Sequence, residues 1–276
     1  MRIVITDSTG AKIRTFYGPA KAGFNQAVWN YDYDEPTRLE LRQLTEDEEA
    51  AQQFFRGGGG GPPAVPGTYK VAVTVNGKTQ EQSLTFDGDP RLNIPIENFR
   101  AQTRMALEAR DMTSAINTAL NRLESLHNQI QTVQRGLAGD QGEGMQNAAY
   151  QPVLQKAREL DRKLRTIKDE VYNSDIQPGS DDGIHYLRRF HDRVQGLNFA
   201  ISGGYGVPPS DLAQEEMSEV RRQLTAFLDK FNAAVKGDVA DFNKLAYDKG
   251  ANTLFAGGPV ELKSGDAASA GGGADK

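Results

Sequence analysis

The sequence contains no cysteine, which excludes disulfide bonds, thiolate metal sites and a cysteine nucleophile. It has three histidines and one tryptophan, so candidates for a metal site are few. No stretch approaches the run of about 18 apolar residues that a membrane-spanning helix needs. The start of the chain, MRIVITDSTG, lacks the long apolar stretch and the cleavage site of a signal peptide. If the protein is exported, we expect the export signal to lie outside this chain.

Negative charge exceeds positive charge in this sequence. The 276 residues include 32 Lys and Arg against 37 Asp and Glu, a net charge of −5, and the sequence pI is about 5.4. This balance argues against general binding to nucleic acids or to anionic membranes. Hydrophobic residues make up 38% of the chain, which is enough for a packed core. The length favours two domains and is compatible with one.

Residues 1–89 predict a small antiparallel β-sandwich of the Ig-like type. The strongest signal is a hairpin over residues 68–86, where polarity alternates on both sides of Asn76-Gly77. Asn-Gly between two alternating runs favours a two-residue turn, because both turn positions need a positive φ. Further strands are predicted over residues 2–6, 13–17 and 23–31. Trp29, in the last of these, is interpreted as a core anchor of the sandwich.

An acidic insertion at residues 32–62 interrupts the β region. It holds eight acidic residues against three basic ones, an excess equal to the net charge of the whole chain. Residues 38–44 predict one more strand, and Thr45 with Glu48 forms the capping box of a short helix. The glycine run at 57–61 is followed by two prolines and predicts a flexible surface loop.

Residues 90–256 predict an antiparallel bundle of about four helices. The first helix is predicted over about residues 96–135, the second over a heptad seam from Val153 to Val171, and the third over about 187–201. Residues 202–209 form a loop, and Ser210 is the predicted N-cap of a fourth helix. Its apolar positions are Met217, Val220, Leu224, Phe227, Phe231 and Ala234. Residues 239–245 extend this helix or form a short fifth, and residues 257–276 predict a disordered Gly/Ala-rich tail.

The three histidines do not predict a metal site. His185 and His191 lie six residues apart, so on a straight helix they point in different directions, and no His-x-x-x-His pair occurs. His127 falls in the predicted seam of the bundle, where a hydrogen-bonded structural imidazole is the simpler interpretation.

The acidic motifs and glycine-rich motifs are also incomplete. Asp32-x-Asp34-Glu35 and Asp87-x-Asp89 resemble fragments of calcium loops, but neither continues into a twelve-residue ligand series, so solvated turn acids are favoured. The glycine run lacks the Lys-Ser/Thr of a phosphate-binding loop. Residues 7–10 are similar to the Asp-box turn of sialidases but lack its closing tryptophan. We therefore assign no catalytic, cofactor-binding or metal-ligating residue and expect no cofactor.

Several segments nevertheless resemble known proteins. Ile3–Asp7, the G-x-N-x-x-x-W element from Gly23 to Trp29, and Pro66–Tyr69 with the following hairpin are similar to the Ig-like module of flagellar hook-capping proteins. The acidic insertion departs from that module, in which the same connection is short. The segment 84–91, the long helices, residues 171–173 and residues 241–243 resemble the C-terminal region of large secreted bacterial proteins. Those proteins carry a sortilin-type or sialidase-like β-propeller, often labelled glycosyl hydrolase.

The resemblance, which covers nearly all of residues 1–256, implies a function and a location. It implies a non-catalytic accessory module that stabilises, spaces or tethers an exported β-propeller, or that binds another protein, in an extracellular or periplasmic setting. One alternative is part of a glycoside hydrolase whose active site lies in a propeller absent from this chain. A weaker alternative is an assembly subunit. The oligomeric state stays open, and no catalytic residue is carried over.

Overall fold

The computed structural model describes residues 1–41, 60–139, 148–173, 189–202 and 204–262. They form a four-stranded antiparallel sheet followed by helices, which confirms the predicted order of a β region before a helical region. The strands are β1 (Arg2–Thr6), β2 (Lys12–Tyr17), β3 (Gly67–Val75) and β4 (Lys78–Phe86). The helices are α1 (Ile96–Ala138), α2 (Gln151–Val171), α3 (Phe190–Ser202), α4 (Asp211–Ala234) and α5 (Ala240–Asp248). A π-helical segment, Val235–Val239, joins α4 to α5.

The strand order in the sheet is β2-β1-β3-β4. The predicted hairpin is confirmed, because β3 and β4 pair without a break from Val75 and Lys78 at the turn to Gly67 and Phe86. Asn76 and its glycine neighbour have φ values of 49° and 78°, the left-handed conformation that a type I′ turn requires. Turn chemistry and strand pattern agree here, so the local sequence is sufficient to determine the hairpin.

The described residues form one sheet, and no second sheet packs on it within them, so a sandwich is not confirmed. One face buries Ile3, Ile5 and Tyr69 against Tyr33 and Ala64, which form a small core of their own. Exposed polar side chains lie on the opposite face, among them Thr68, Lys70, Ser83 and Thr85. No described segment therefore covers this polar face of the sheet.

The strand predicted over residues 23–31 is wrong, since this segment is irregular. The Asn25 side chain accepts a hydrogen bond from the Lys21 amide at 3.0 Å and donates one to the Lys21 carbonyl at 2.8 Å. Such local bonds compete with a sheet ladder. Gly23 and Tyr31 have φ values of 94° and 57°, which lie outside the extended region.

The first helix, α1, starts where the sequence predicts and ends three residues later than predicted. Its 43 residues span about 64 Å at 1.5 Å per residue. Helix α2 packs antiparallel to α1, along the C-terminal half of α1. Two ion pairs give this direction, Glu124 with Lys168 at 2.9 Å and His127 with Asp161 at 2.5 Å. The apolar stripe of α1 therefore packs against α2 in this half of the helix.

Helix α3 continues the same column along the N-terminal half of α1. Asn117 contacts His191 at 2.9 Å, and the Gln102 amide donates to the Ile201 carbonyl at 3.1 Å, so this pair is antiparallel as well. Helices α2 and α3 therefore lie end to end beside one long helix.

The third column is the continuous run of α4, the π-helical segment and α5. Its antiparallel direction relative to α2 follows from two ion pairs, Lys163–Asp238 at 2.6 Å and Glu170–Lys230. The predicted extension of the fourth helix is confirmed in this form. Over the described residues, the bundle thus has three columns, and their apolar stripes share one continuous core.

The predicted seams and cap of the bundle are confirmed. The heptad positions of α2 are all buried: Val153, Ala157, Leu160, Leu164, Ile167 and Val171. The apolar positions predicted for α4 are all buried too: Met217, Val220, Leu224, Phe227, Phe231 and Ala234. The Ser210 hydroxyl accepts a hydrogen bond from the Ala213 amide at 3.2 Å and caps α4.

An extended segment, which we name the first strap (residues 32–41), ties the sheet region to α1. Asn117 donates to the Thr37 carbonyl at 2.7 Å, and Asn121 donates to the Arg38 carbonyl at 2.8 Å. The Glu40 amide also donates to Asn121 Oδ1 at 2.7 Å, so this backbone bonds to helix side chains and the strand predicted over residues 38–44 is wrong for its described part, residues 38–41. Residues 42–44, the predicted helix at 45–48 and positions 57–59 of the glycine run lie outside the described residues.

A second strap (residues 251–262) follows the bundle after α5. Asn243 exchanges two hydrogen bonds with the backbone of Leu254, and Asn232 exchanges two with Val260. Leu254 and Val260 are both buried. Residues 257–262 thus pack on the bundle although the sequence places them in a disordered tail, and residues 263–276 lie outside the described residues.

Candidate functional site

His127 lies beside a shallow groove of about 230 Å³ between α1 and α2. Its Nδ1 is 2.5 Å from Asp161 Oδ1, and its Nε2 is 3.1 Å from Arg165 Nη2. A His–Asp pair is part of a nucleophile-activating triad. The described residues that line the groove are Leu123, Glu124, His127, Leu164, Arg165, Lys168 and Asp169, so they supply no hydroxyl nucleophile. Both ring nitrogens already have polar neighbours, which supports the structural role predicted for this imidazole.

His191 is buried where α3 meets α1. Its Nε2 lies 2.9 Å from Asn117 Oδ1, and its ring contacts the Tyr172 ring edge-on with centroids 5.4 Å apart. Burial lowers the pKa of His191, and the neighbouring Asp192 carboxylate offsets only part of that effect. Because Asn117 also holds the first strap, His191 links α3, α1 and the strap. His185, the other member of the pair, lies outside the described residues.

The carboxylates of the first calcium-like fragment, Asp32-x-Asp34-Glu35, form ion pairs with basic side chains of β2. Arg14 pairs with Asp32 and lies 3.6 Å from Glu35 Oε1, while Asp34 lies 3.0 Å from Lys12 Nζ. Burial raises the pKa of Asp32, although its ion pair with Arg14 acts in the opposite direction. This cluster fixes the start of the first strap against β2.

The second fragment and the Asp7 turn have local structural roles. Hydrogen bonds from the Arg91 side chain lower the pKa of Asp89, and that pair is exposed. Asp7 Oδ1 accepts hydrogen bonds from the amides of Thr9 and Ala11, both at 2.9 Å, and so stabilises the β1–β2 turn. Among the described residues, no three or more His, Asp or Glu side chains are placed to share a metal ion.

Trp29 joins the irregular segment to the sheet. Its ring contacts Tyr69 at 5.1 Å and Phe86 at 6.0 Å, both edge-on, and its Nε1 donates to the Asp32 carbonyl at 2.8 Å. Trp29 therefore packs on the core of the sheet as an anchor, as predicted. It lies in a loop, however, and not in the predicted strand. Phe24, in the same segment, is 94% exposed.

The strongest candidate for a functional surface lies at the end of the bundle where α1 and α4 begin and α3 ends. The segments at this end carry six large apolar side chains that are exposed, from 39% for Ile96 to 80% for Phe199. We name this set the apolar end surface: Leu92, Ile96, Phe199, Tyr205, Val207 and Leu212. Single exposed apolar residues are ordinary on a protein surface, but a concentration of them marks an interaction site.

Buried contacts hold the loop that carries this surface. The Gln102 side chain, 2% exposed, donates to the carbonyls of Ile201 at 3.1 Å and Gly204 at 2.5 Å. Its Oε1 accepts a hydrogen bond from the Gly206 amide at 2.9 Å. One glutamine of α1 thus fixes three backbone groups across the loop.

Gly206 and Tyr205 complete the attachment of the loop. Gly206 has a φ of 62°, and a Cβ at this position would lie 2.7 Å from Ile94 and 2.9 Å from Phe99, so only glycine fits. The Tyr205 ring packs edge-on against Phe99 at 5.1 Å, and its hydroxyl accepts a hydrogen bond from the Asp89 amide at 2.9 Å. These contacts therefore hold Tyr205, a member of the apolar end surface, in place.

The sequence predicts a plain loop at residues 202–209, and the apolar end surface does not follow from that prediction. A signal was present, since Tyr205 and Val207 are large apolar residues in a segment otherwise rich in glycine and proline. The role of Gln102 could not be inferred, because it depends on residues about one hundred positions later in the chain.

No family model, no curated protein and no solved structure matches this chain. None of the helices in the described ranges combines the length and the apolar character needed to cross a bilayer. A function for this chain must therefore be inferred from its structure, and the apolar end surface is the strongest candidate site.

Proposed function

We propose that this chain is a non-catalytic accessory module that binds a protein partner through the apolar end surface. The observation that carries the proposal is the exposure of six large apolar side chains in the segments that lie at one end of the bundle. When another protein covers exposed apolar surface, the free energy of the complex is lowered by roughly 25 cal/mol for each Å² removed from water. Aromatic side chains such as Phe199 and Tyr205 are typical anchors of protein interfaces.

The proposed partner is an exported β-propeller, in the extracellular space or the periplasm. This part of the proposal rests on the resemblance of the strands, the 84–91 segment and the helices to the C-terminal region of secreted propeller proteins. The fixed loop and the two straps support it, since a spacer or tether needs a rigid body.

The alternative, part of a glycoside hydrolase, is less well supported by this chain. Such catalysis needs two carboxyl groups across a cleft, one of them with a raised pKa. Asp32 has a raised pKa, but it is 5% exposed and pairs with Arg14 under the sheet. In the α1–α2 groove, Glu124 pairs with Lys168 and Asp161 with His127. In this alternative, the carboxylates that perform the hydrolysis lie in the propeller.

The proposal is tested by comparing what three forms of the protein capture from extracellular and periplasmic fractions of the source organism. They are the wild-type chain, the Phe199→Glu/Leu212→Glu variant, and a Tyr247→Glu control. Tyr247 is 79% exposed, close to the 80% of Phe199 and the 75% of Leu212, but it lies on α5. We expect the wild type and the control to capture the same propeller protein and the double variant to lose it. Equal capture by all three forms would contradict the proposal.

A further inference from the structure

Strand β4 has an open edge in the part of the chain that the structure describes. It lies last in the sheet, pairs on one side with β3, and has no proline and no register shift over its nine residues. In a hairpin with a two-residue turn, the residues next to the turn exchange hydrogen bonds, so alternate residues of β4 direct their backbone groups outward. These residues are Thr79, Glu81, Ser83 and Thr85, and no described backbone group bonds to them from outside the hairpin.

The opposite edge of the sheet is protected. The Asp34 amide donates to the Ile13 carbonyl of β2 at 3.0 Å, and Asp34 Oδ1 accepts from the Thr15 amide at 2.9 Å. Open edges recruit further strands, and proteins usually block them with prolines, bulges or covering segments. Among the described residues, the edge of β2 is covered in this way and that of β4 is free.

The sequence of β4 is complementary to itself about its midpoint. In an antiparallel pair of two β4 strands with the twofold axis at Gln82, all nine residues of each strand find a partner. Glu81 then faces Ser83, Thr79 faces Thr85, Gln80 faces Leu84 and Lys78 faces Phe86, so no like charges are opposed. Thr–Thr pairs already bridge strands inside this sheet, at 2.8 Å for Thr74 with Thr79 and 2.9 Å for Thr68 with Thr85.

Neighbouring registers are worse. An axis at Glu81 sets the two Glu81 carboxylates against each other, which destabilises a strand pair. An axis at Ser83 leaves Lys78 and Thr79 without partners. The outward hydrogen-bonding residues of β4 are the odd-numbered ones, so the Gln82 axis is the register that satisfies hydrogen bonds, charge and length together.

We infer that a second copy of this chain pairs with β4, so that two sheets join into one antiparallel eight-stranded sheet across a twofold axis at Gln82. The contact is one strand wide and therefore smaller than a standard protein interface, so the dimer is expected to be weak and concentration-dependent. This dimer involves the sheet and not the apolar end surface, so either proposal can fail without the other.

The test is the mass of the full chain in solution, measured by sedimentation over about 1 μM to 1 mM, a range suited to weak complexes. We expect the mass to rise from 30.2 kDa toward twice that value with concentration. Ser83→Glu sets a new carboxylate against Glu81 of the second copy at two symmetric places, and we expect the dissociation constant to rise roughly tenfold. The variant should fold, because position 83 pairs with Lys70 in the same sheet.

A charge exchange identifies the register. In the Glu81→Lys/Ser83→Glu variant, the two changed positions face each other across the twofold axis with opposite charges, and we expect the dimer to return. Thr68→Glu is the matched control, since it adds the same charge to the same open face on β3, away from the edge. A chain that stays at 30.2 kDa at every concentration, or a dimer that Ser83→Glu does not weaken, would overturn the inference.

Discussion

Gln102 determines whether the loop of the apolar end surface stays in place, and its replacement by methionine tests this. The change keeps the size of the side chain and removes three hydrogen bonds, those to the Ile201 and Gly204 carbonyls and from the Gly206 amide. A buried group that loses its partner costs about 1–3 kcal/mol. The loop can admit water at its outer side, so we expect a loss of about 2–4 kcal/mol in the free energy of unfolding.

Urea denaturation followed by circular dichroism measures this loss, and hydrogen exchange at Gly204–Gly206 shows whether the loop opens. Gln129→Met is a matched control on the same helix. Gln129 also makes two hydrogen bonds to a strap residue, Phe255, at 3.0 Å and 2.7 Å, but these bonds are exposed to solvent. We expect the control to cost less than about 1 kcal/mol. Equal losses for the two variants would refute the reasoning from burial.

Three further predictions address the core and the buried polar groups. Burial lowers the pKa of His191, so the unfolded chain binds the proton more tightly than the folded chain. The free energy of unfolding should therefore fall as the pH drops through about 6.5. Urea titrations at several pH values should show a weaker pH dependence for His191→Gln. Arg14→Met strands the buried Asp32 carboxylate and should cost about 3 kcal/mol, while adding Asp32→Asn should recover most of it; no recovery would contradict the pairing. Leu164→Asp should abolish the helical signal while Trp29 fluorescence stays native, since the two cores are separate, and simultaneous loss of both would show one cooperative unit.

The features that could be predicted from the sequence are those that neighbouring residues determine. The Asn76-Gly77 turn, the heptad seam of α2 and the Ser210 cap each depend on residues a few positions apart, and the structure confirms all three. The strand predicted around Trp29 failed because a ladder needs a free neighbouring edge, and Asn25 offers the backbone local bonds instead.

The features that could not be predicted depend on amide side chains that bond to distant backbone. Asn117 and Asn121 hold the first strap, and Asn232 fixes Val260 in a segment whose composition indicates a tail. An asparagine that faces solvent and one that bonds to a strap occupy the same kind of polar position on a helix. The periodicity of the sequence therefore does not distinguish them. The arrangement of α2 and α3 end to end beside α1 is likewise a property of packing, which helix length alone does not reveal.

The most direct test of the proposed function is site-specific photocrosslinking in cells of the source organism. A photoreactive amino acid is placed at Leu212, in the apolar end surface, and in a separate strain at Tyr247, which is similarly exposed. We expect Leu212 to crosslink to a β-propeller protein outside the cytosol, identified by mass spectrometry, and Tyr247 not to do so. Crosslinks of equal yield from both positions, or none from Leu212, would contradict it.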